Sequence, residues 1–427
     1  MKIVTPGIVQ RPAHEQDGRT DAELVHYLKN PPPVTHERNV WAFWHGGFDA
    51  MKPWTQRNVL GWIRRQGPSW DVRVLDMVST TDESGSSSSS SSLSSPTHVH
   101  RFVDPAYLPE CFNANTMTGP IKGQHASDMV RLPLLYLHGG VWLDVGAILF
   151  RNFDDIFWRQ LEDPACPYEM AVTLFQMREH AGQCLTGFVG ARKGNSFIER
   201  WMRVWLAMWQ GRTDCAGLHK HPLVASMGLV AGPEKHPAPD GVGEARVFNM
   251  GDPGDFEAGA ITDYLALNLA YERVRLLVDP QDGGWDGPAY YRERVHMTDG
   301  IDELYRSHVI RRMDELFPLL SLPFRPETVD TDPEQKSAAD WVGHILANSS
   351  MAKFSQGYWQ PGAPVPLAML WGMPENEGAD IKEGTWAAYL RWASLTCEQT
   401  RFQGRCLESL KLPAEQYEII YKGLLEA

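Results

Sequence analysis

The sequence predicts an α/β protein: a mostly parallel sheet flanked by helices, followed by a mainly helical C-terminal extension. Three observations carry this expectation. An apolar run, an amphipathic stretch and an alternating run follow one another within residues 39–77, and strand, helix and strand at that spacing build a βαβ unit. A second helical pattern then leads through Gly139-Gly140 into another apolar run. Finally, 427 residues, 43% of them hydrophobic, are enough to bury a sizeable core.

Each element has its own justification. Residues 1–38 are polar, end in Pro31-Pro32-Pro33, and read as an irregular leader. Residues 39–44 (NVWAFW) are short and apolar enough for a buried strand. Pro53 suits a first helical position, and Trp54, Val59, Leu60 and Ile63 form a stripe that Gly67-Pro68 ends. Residues 71–77 (DVRVLDM) alternate like a strand. Residues 84–95 are almost pure serine and bury too little apolar surface to order, so residues 82–97 read as a disordered loop inside the domain. From Gln124 to His138, Ala126, Met129, Val130, Leu134, Leu135 and Leu137 mark a helix. Pro133 is a defect in it, worth about 3 kcal/mol. Gly139-Gly140 then permits a tight turn into Val141-Trp142-Leu143-Asp144.

Residues 168–175 and 185–191 read as further strands. Residues 195–210 form a helix, capped by Asn195 or Ser196, whose Phe197, Trp201, Val204, Trp205 and Met208 dock on the sheet. Residues 255–277 are again helical. The main domain so defined covers residues 39–300, and residues 301–427 form an extension or lid of short helices broken by proline.

Charge and cysteine usage narrow the class. A formal net charge of −13 argues against a surface that coats nucleic acid or anionic membrane. No apolar stretch approaches the roughly 20 residues of a membrane span, and the N-terminus lacks the apolar run of a signal peptide. Six scattered cysteines without a C-x-x-C fit reduced thiols, which points to the cytoplasm. There is no phosphate-binding glycine loop of the P-loop or dinucleotide type.

The informative segment runs from Gln124 to Arg131 (QHASDMVR) and resumes at Gly139 with GGVWLDVG. Asp128 and Arg131, three apart, share one helix face, and Asp144 ends the following strand. Open α/β sheets bind ligands at the carboxyl ends of their strands, so one guanidinium and two carboxylates are expected to meet in a cleft there.

The pattern S-D-x-x-R followed by L-x-x-L-Y-x-x-G-G-V-W-L-D resembles the DXD-type sugar-nucleotide glycosyltransferases of the GT-A fold. Among these it is similar to the capsular-polysaccharide-synthesis-like proteins, which include fungal members. Residues 40–44, 68–76 and Ile261-Thr262-Asp263-Tyr264 support the match. The resemblance implies a GT-A-like, Rossmann-like domain that moves a sugar from a nucleotide-sugar donor to an unidentified acceptor, in polysaccharide or secondary-metabolite biosynthesis. It implies that Asp128 and Arg131 contact the donor, that Asp144 is catalytic with them, and that the motif's acidic pair binds Mn²⁺ or Mg²⁺ on the diphosphate. His125, Trp44, Trp142 and His296 complete the expected substrate-binding set. The departure is Gly146, which stands in place of the second acid, giving D-x-G and leaving Asp144 as a single weak metal ligand.

A different class competes. An aminoacyl-tRNA-dependent, arginine-containing cyclodipeptide synthase on the same scaffold would use the two carboxylates to hold a substrate guanidinium. It would need a basic track for tRNA, for which Arg64-Arg65, Arg101, Arg192-Lys193, Arg200, Arg203 and Arg311-Arg312 are the candidates. A catalytically inactive binding partner is the third reading.

Overall fold

The fold is taken from a computed structural model. It describes residues 2–80, 93–178, 181–227, 235–237, 244–246, 258–354, 364–404, 406–407 and 419–427. At its centre lies a six-stranded sheet made of β1 (Asn39–Phe43), β2 (Asp71–Leu75), β3 (Gly140–Leu143), β4 (Met170–Arg178), β5 (Ala181–Ala191) and β6 (Val295–Asp299). Their spatial order is β6-β4-β5-β3-β1-β2. The principal helices are α1 (Asp21–Lys29), α2 (Pro53–Gln66), α3 (Lys122–His138), α4 (Ser196–Met208), α5 (Ala266–Leu276), α6 (Pro333–Asn348) and α7 (Trp386–Thr396).

The sheet is mixed, which corrects the expectation of a mostly parallel one. β1 runs parallel to β2 and β3, and β6 parallel to β4, but β5 opposes both of its neighbours. The cause is the connection: β5 starts at Ala181 just after β4 ends at Arg178, far short of the dozen or so residues a parallel crossover needs. Among the described residues antiparallel ladders outnumber parallel ones.

Alternation along the strands divides the core between two faces. Trp41, Phe43, Trp142, Val172 and Val189 face one side, where α3, α4 and α5 pack. Val40, Ala42, Val72, Val74 and Leu143 face the other, against Val59, Trp62 and Ile63 of α2. Asn195 caps α4 by accepting from the Phe197 and Ile198 amides, and the aromatic stripe predicted for that helix is buried. α3 continues through Pro133. The turn after it demands glycine: Gly140 has φ 103°, and a Cβ there would lie 2.3 Å from the Asn39 carbonyl oxygen.

Two expectations about irregular chain need revision. The leader holds α1, started by a reciprocal capping box between Thr20 and Glu23 and anchored by buried Leu24 and Leu28. Its strand Ile8–Gln10 pairs with Cys397–Gln399 near the other end of the chain. Of the serine loop, residues 82–92 lie outside the described residues. The stretch 93–97 is ordered, because Leu93–Ser94 pairs with Ser79–Thr80 and the Ser95 and Thr97 hydroxyls donate to the Asp76 carboxylate at 2.6 Å each.

The C-terminal part is largely helical, but it is built into the molecule. α6 and α7 bury Trp341, Ile345, Trp386 and Leu390 against Trp54, Ile148 and Phe150. A short strand, Met351–Lys353, pairs antiparallel with Ala147–Leu149, directly after the Asp144 motif.

Candidate active site

α3 descends and β3 returns through the glycine turn, so the amino-terminal half of the helix and the end of the strand share the carboxyl edge of the sheet. There the Arg131 guanidinium lies between the two aspartates. Its Nη2 is 2.6 Å from Asp128 Oδ1 and 3.7 Å from Asp144 Oδ1. Its Nη1 donates to the Thr186 carbonyl of β5 at 2.5 Å, and its Cζ lies over the Trp142 ring, 5.0 Å from the centroid. The buried Trp142 also donates its indole N–H to Asp144 Oδ1 at 2.9 Å, so one ring sets both charges.

Asp144 is held from three sides. Its amide donates to the Gly187 carbonyl at 2.9 Å, and its Oδ2 accepts from Lys353 Nζ at 2.7 Å. Burial alone would raise its pKa, yet the Lys353 and Arg131 cations outweigh this and hold the carboxyl well below the usual range. Lys353 shows the converse: burial works against its charge, and Asp144 raises its pKa nonetheless. Asp128 accepts from His125 Nδ1 at 3.1 Å. Burial disfavours the imidazolium, but the Asp128 carboxylate and then the Cys215 sulfur prevail, and the His125 pKa is pushed up to about 9. Tyr264 closes the group, its ring 6.4 Å from that of His125 and its phenol pKa raised by burial. The residue before it, Asp263, fixes the neighbouring loop by accepting from the Gly217 and His219 amides.

Asp128, Arg131, Asp144, His125 and Trp142 are thus brought together as the sequence predicts. Trp44 follows β1 at the same edge, with its indole N–H on the Ala50 carbonyl at 3.2 Å. His296 is not brought there. It sits level with Ala171 near the opposite end of the sheet, beside Tyr168 and Phe157 and with Nε2 3.4 Å from Cys406 Sγ. Lys353 was missed. It lies 209 residues from Asp144 in the chain, and nothing local marks it.

Of the motif's expected acidic pair, Asp144 alone is present as a carboxylate. Gly146 cannot be exchanged for the second acid without moving backbone, because a Cβ there would lie 2.2 Å from the Phe354 carbonyl oxygen. The one remaining carboxylate of the motif already holds an ammonium. Among the described residues no group of three or more His, Cys, Asp or Glu could hold a metal ion.

Comparison with known proteins decides the family. A family model described as capsular polysaccharide synthesis protein matches residues 100–216, which include α3 and β3. O-glycosyltransferase braB of Annulohypoxylon truncatum is 38% identical over 99% of this chain and 94% of its own. Glycosyltransferase afumC of Aspergillus fumigatus is 38% identical over 97% and 98%, and O-glycosyltransferase PaGT of Phomopsis amygdali 33% over 98% and 96%. The chain belongs to this glycosyltransferase family. Among solved structures, PaToxG Glycosyltransferase overlays on 44% of this chain and 66% of its own, with 15% identity and a TM-score of 0.27, too slight an overlap to define a shared fold.

As a glycosyltransferase the chain takes a sugar donor and an acceptor as its substrates, and it is a transferase. The aminoacyl-tRNA reading finds no support. Most of the arginines offered as a basic track face carboxylates instead: Arg64 pairs with Asp21, Arg192 with Glu37, Arg200 and Arg203 with Asp282, Arg311 with Glu315, and Arg312 with Asp314. Among the described residues no helix of the glycosyltransferase is long and apolar enough to cross a membrane, and none of its six cysteines is joined in a disulfide.

Proposed function

We propose that this glycosyltransferase draws its sugar from a nucleotide-sugar donor, bound at the carboxyl edge of the sheet in a GT-A-like manner, and delivers it to a hydroxyl oxygen. The observation that carries the reading is Arg131 held between Asp128 and Asp144 at the edge where open sheets receive ligands. Relatives named O-glycosyltransferase support a hydroxyl acceptor. Cysteines without disulfides suit a reaction in the cytoplasm.

In this reading Asp128 and Arg131 orient the sugar and ribose, while Asp144 accepts from a sugar hydroxyl. The acceptor oxygen bonds to the anomeric carbon, and the bond from that carbon to the diphosphate breaks. Its electron pair stays on the diphosphate, and the acceptor proton leaves to water. The donor must be desolvated and aligned, and fixed charges beside a tryptophan face supply that without reorganisation.

Release of nucleoside diphosphate from a panel of nucleotide sugars tests the proposal. Asp128→Asn keeps the volume and removes the charge that orients Arg131, so kcat/KM should fall about a hundredfold or more. Circular dichroism would show whether the fold is kept. A folded variant with full activity would remove Asp128 from donor binding.

A further inference from the structure

The motif that resembles a metal site carries an ammonium on its aspartate. Lys353 stands opposite Ala147 in the antiparallel pair, and the Phe354 amide donates to the Gly146 carbonyl at 2.9 Å. That pairing brings the backbone of residues 353–354 against the place where a second acid would sit. The same close approach that excludes a side chain at position 146 lays Lys353 Nζ on Asp144 Oδ2 at 2.7 Å. One backbone approach therefore both leaves no room for a side chain at position 146 and brings an ammonium to Asp144.

The charge balance agrees. A site for a divalent metal needs carboxylates in excess of local cations. Here the Asp128 and Asp144 carboxylates face Arg131 and Lys353, and His125 adds a third cation while it is protonated. A group with this balance leaves a divalent metal no surplus of carboxylate, and it sets no net negative charge against an anion. A lysine ammonium has three donors and binds phosphate as a point charge.

We propose that the Lys353 ammonium is the cation this glycosyltransferase sets against the donor's diphosphate, in place of a divalent metal ion, with Asp144 holding it in position. The proposal rests on the reading of this edge as the donor site. As the bond from the anomeric carbon to the β-phosphate oxygen breaks, that oxygen gains the electron pair, and Lys353 stabilises the added charge while keeping its own proton. No further reactant is required.

Calorimetry with UDP and GDP as probes, on the full-length protein, tests this. Wild-type affinity for the probe that binds should be the same in EDTA and in Mn²⁺, within about twofold. Lys353→Met should weaken it by about tenfold or more, the worth of one charge-assisted contact, and Mn²⁺ should not restore it. Lys353→Arg should recover much of the loss, which a purely structural role would not require. Wild-type binding that collapses in EDTA and returns with Mn²⁺ would overturn the proposal, whatever becomes of the variants. So would a folded Lys353→Met protein with wild-type affinity, even if its turnover were low, because Lys353 would then only position Asp144. In either case the donor-site reading survives. Wild-type protein that binds neither diphosphate under any condition would bring down both.

Discussion

Arg131 shows how much one residue depends on its surroundings. A guanidinium only 4% exposed at the side chain is tolerable because its partners are fixed: a carboxylate, a strand carbonyl and an indole face. His125 extends this network one step inward, and its imidazolium is held by the Asp128 carboxylate. Its pKa in the folded protein, about 9, lies above the ordinary 6.5, so the stability it contributes is fully present below pH 6.5. That contribution is lost as pH rises through about 9. Urea unfolding should therefore show stability falling by roughly 3 kcal/mol across this window in the wild type. A flatter profile is expected for His125→Gln, and identical profiles would mean that folding leaves the His125 pKa unshifted. The spacing of Asp128 and Arg131 on a helix was legible in the sequence. The ring that aligns Arg131 with Asp144 was only half legible, because Trp142 was recognised as part of a motif rather than as a platform.

At the scale of elements, the turn and strand around Asp144 are shaped by close backbone approach. Gly140 packs on the Asn39 carbonyl and Gly146 on that of Phe354. The first could be anticipated, since a helix followed by Gly-Gly and an apolar run reads as a tight return. The second could not, because its partner lies in a region whose sequence pattern is weak. Gly146→Asp, which writes a D-x-D into the chain, should fail to create a metal site. The new side chain must displace Phe354 and with it the pairing of Met351–Lys353. A stability loss of about 1–3 kcal/mol, the usual penalty for overpacking, is expected together with loss of turnover that Mn²⁺ does not reverse. Melting temperature and UDP release with and without Mn²⁺ check both parts, and Mn²⁺-stimulated activity in this variant would count against the account of Gly146. The antiparallel β5 has a simpler origin. Strand runs are legible in the sequence, but their direction depends on the short link from Arg178 to Ala181, which only a hairpin can make.

At the scale of the whole molecule, the two ends of the chain complete the site and the core. Ile8–Gln10 pairs with Cys397–Gln399, Leu24 and Leu28 pack beneath the sheet, and α6 and α7 cover Trp54, Ile148 and Phe150. A chain truncated after residue 300 would expose that third cluster and lose Lys353. It should appear in the aggregated fraction on gel filtration and release no UDP; a soluble, active truncation would show that the C-terminal part is dispensable. The sequence alone determined the α/β class, the helix–turn–strand unit, the meeting of Asp128, Arg131 and Asp144, and the resemblance to glycosyltransferases. All of these rest on short-range spacing, where periodicity and turn chemistry act between near neighbours. Only the tertiary structure decided the mixed direction of the sheet, the distance of His296 from the cluster and the pairing of Asp144 with Lys353. Contacts across 209 residues are set by how whole elements pack, and no local pattern encodes which distant side chain arrives at a given carboxylate.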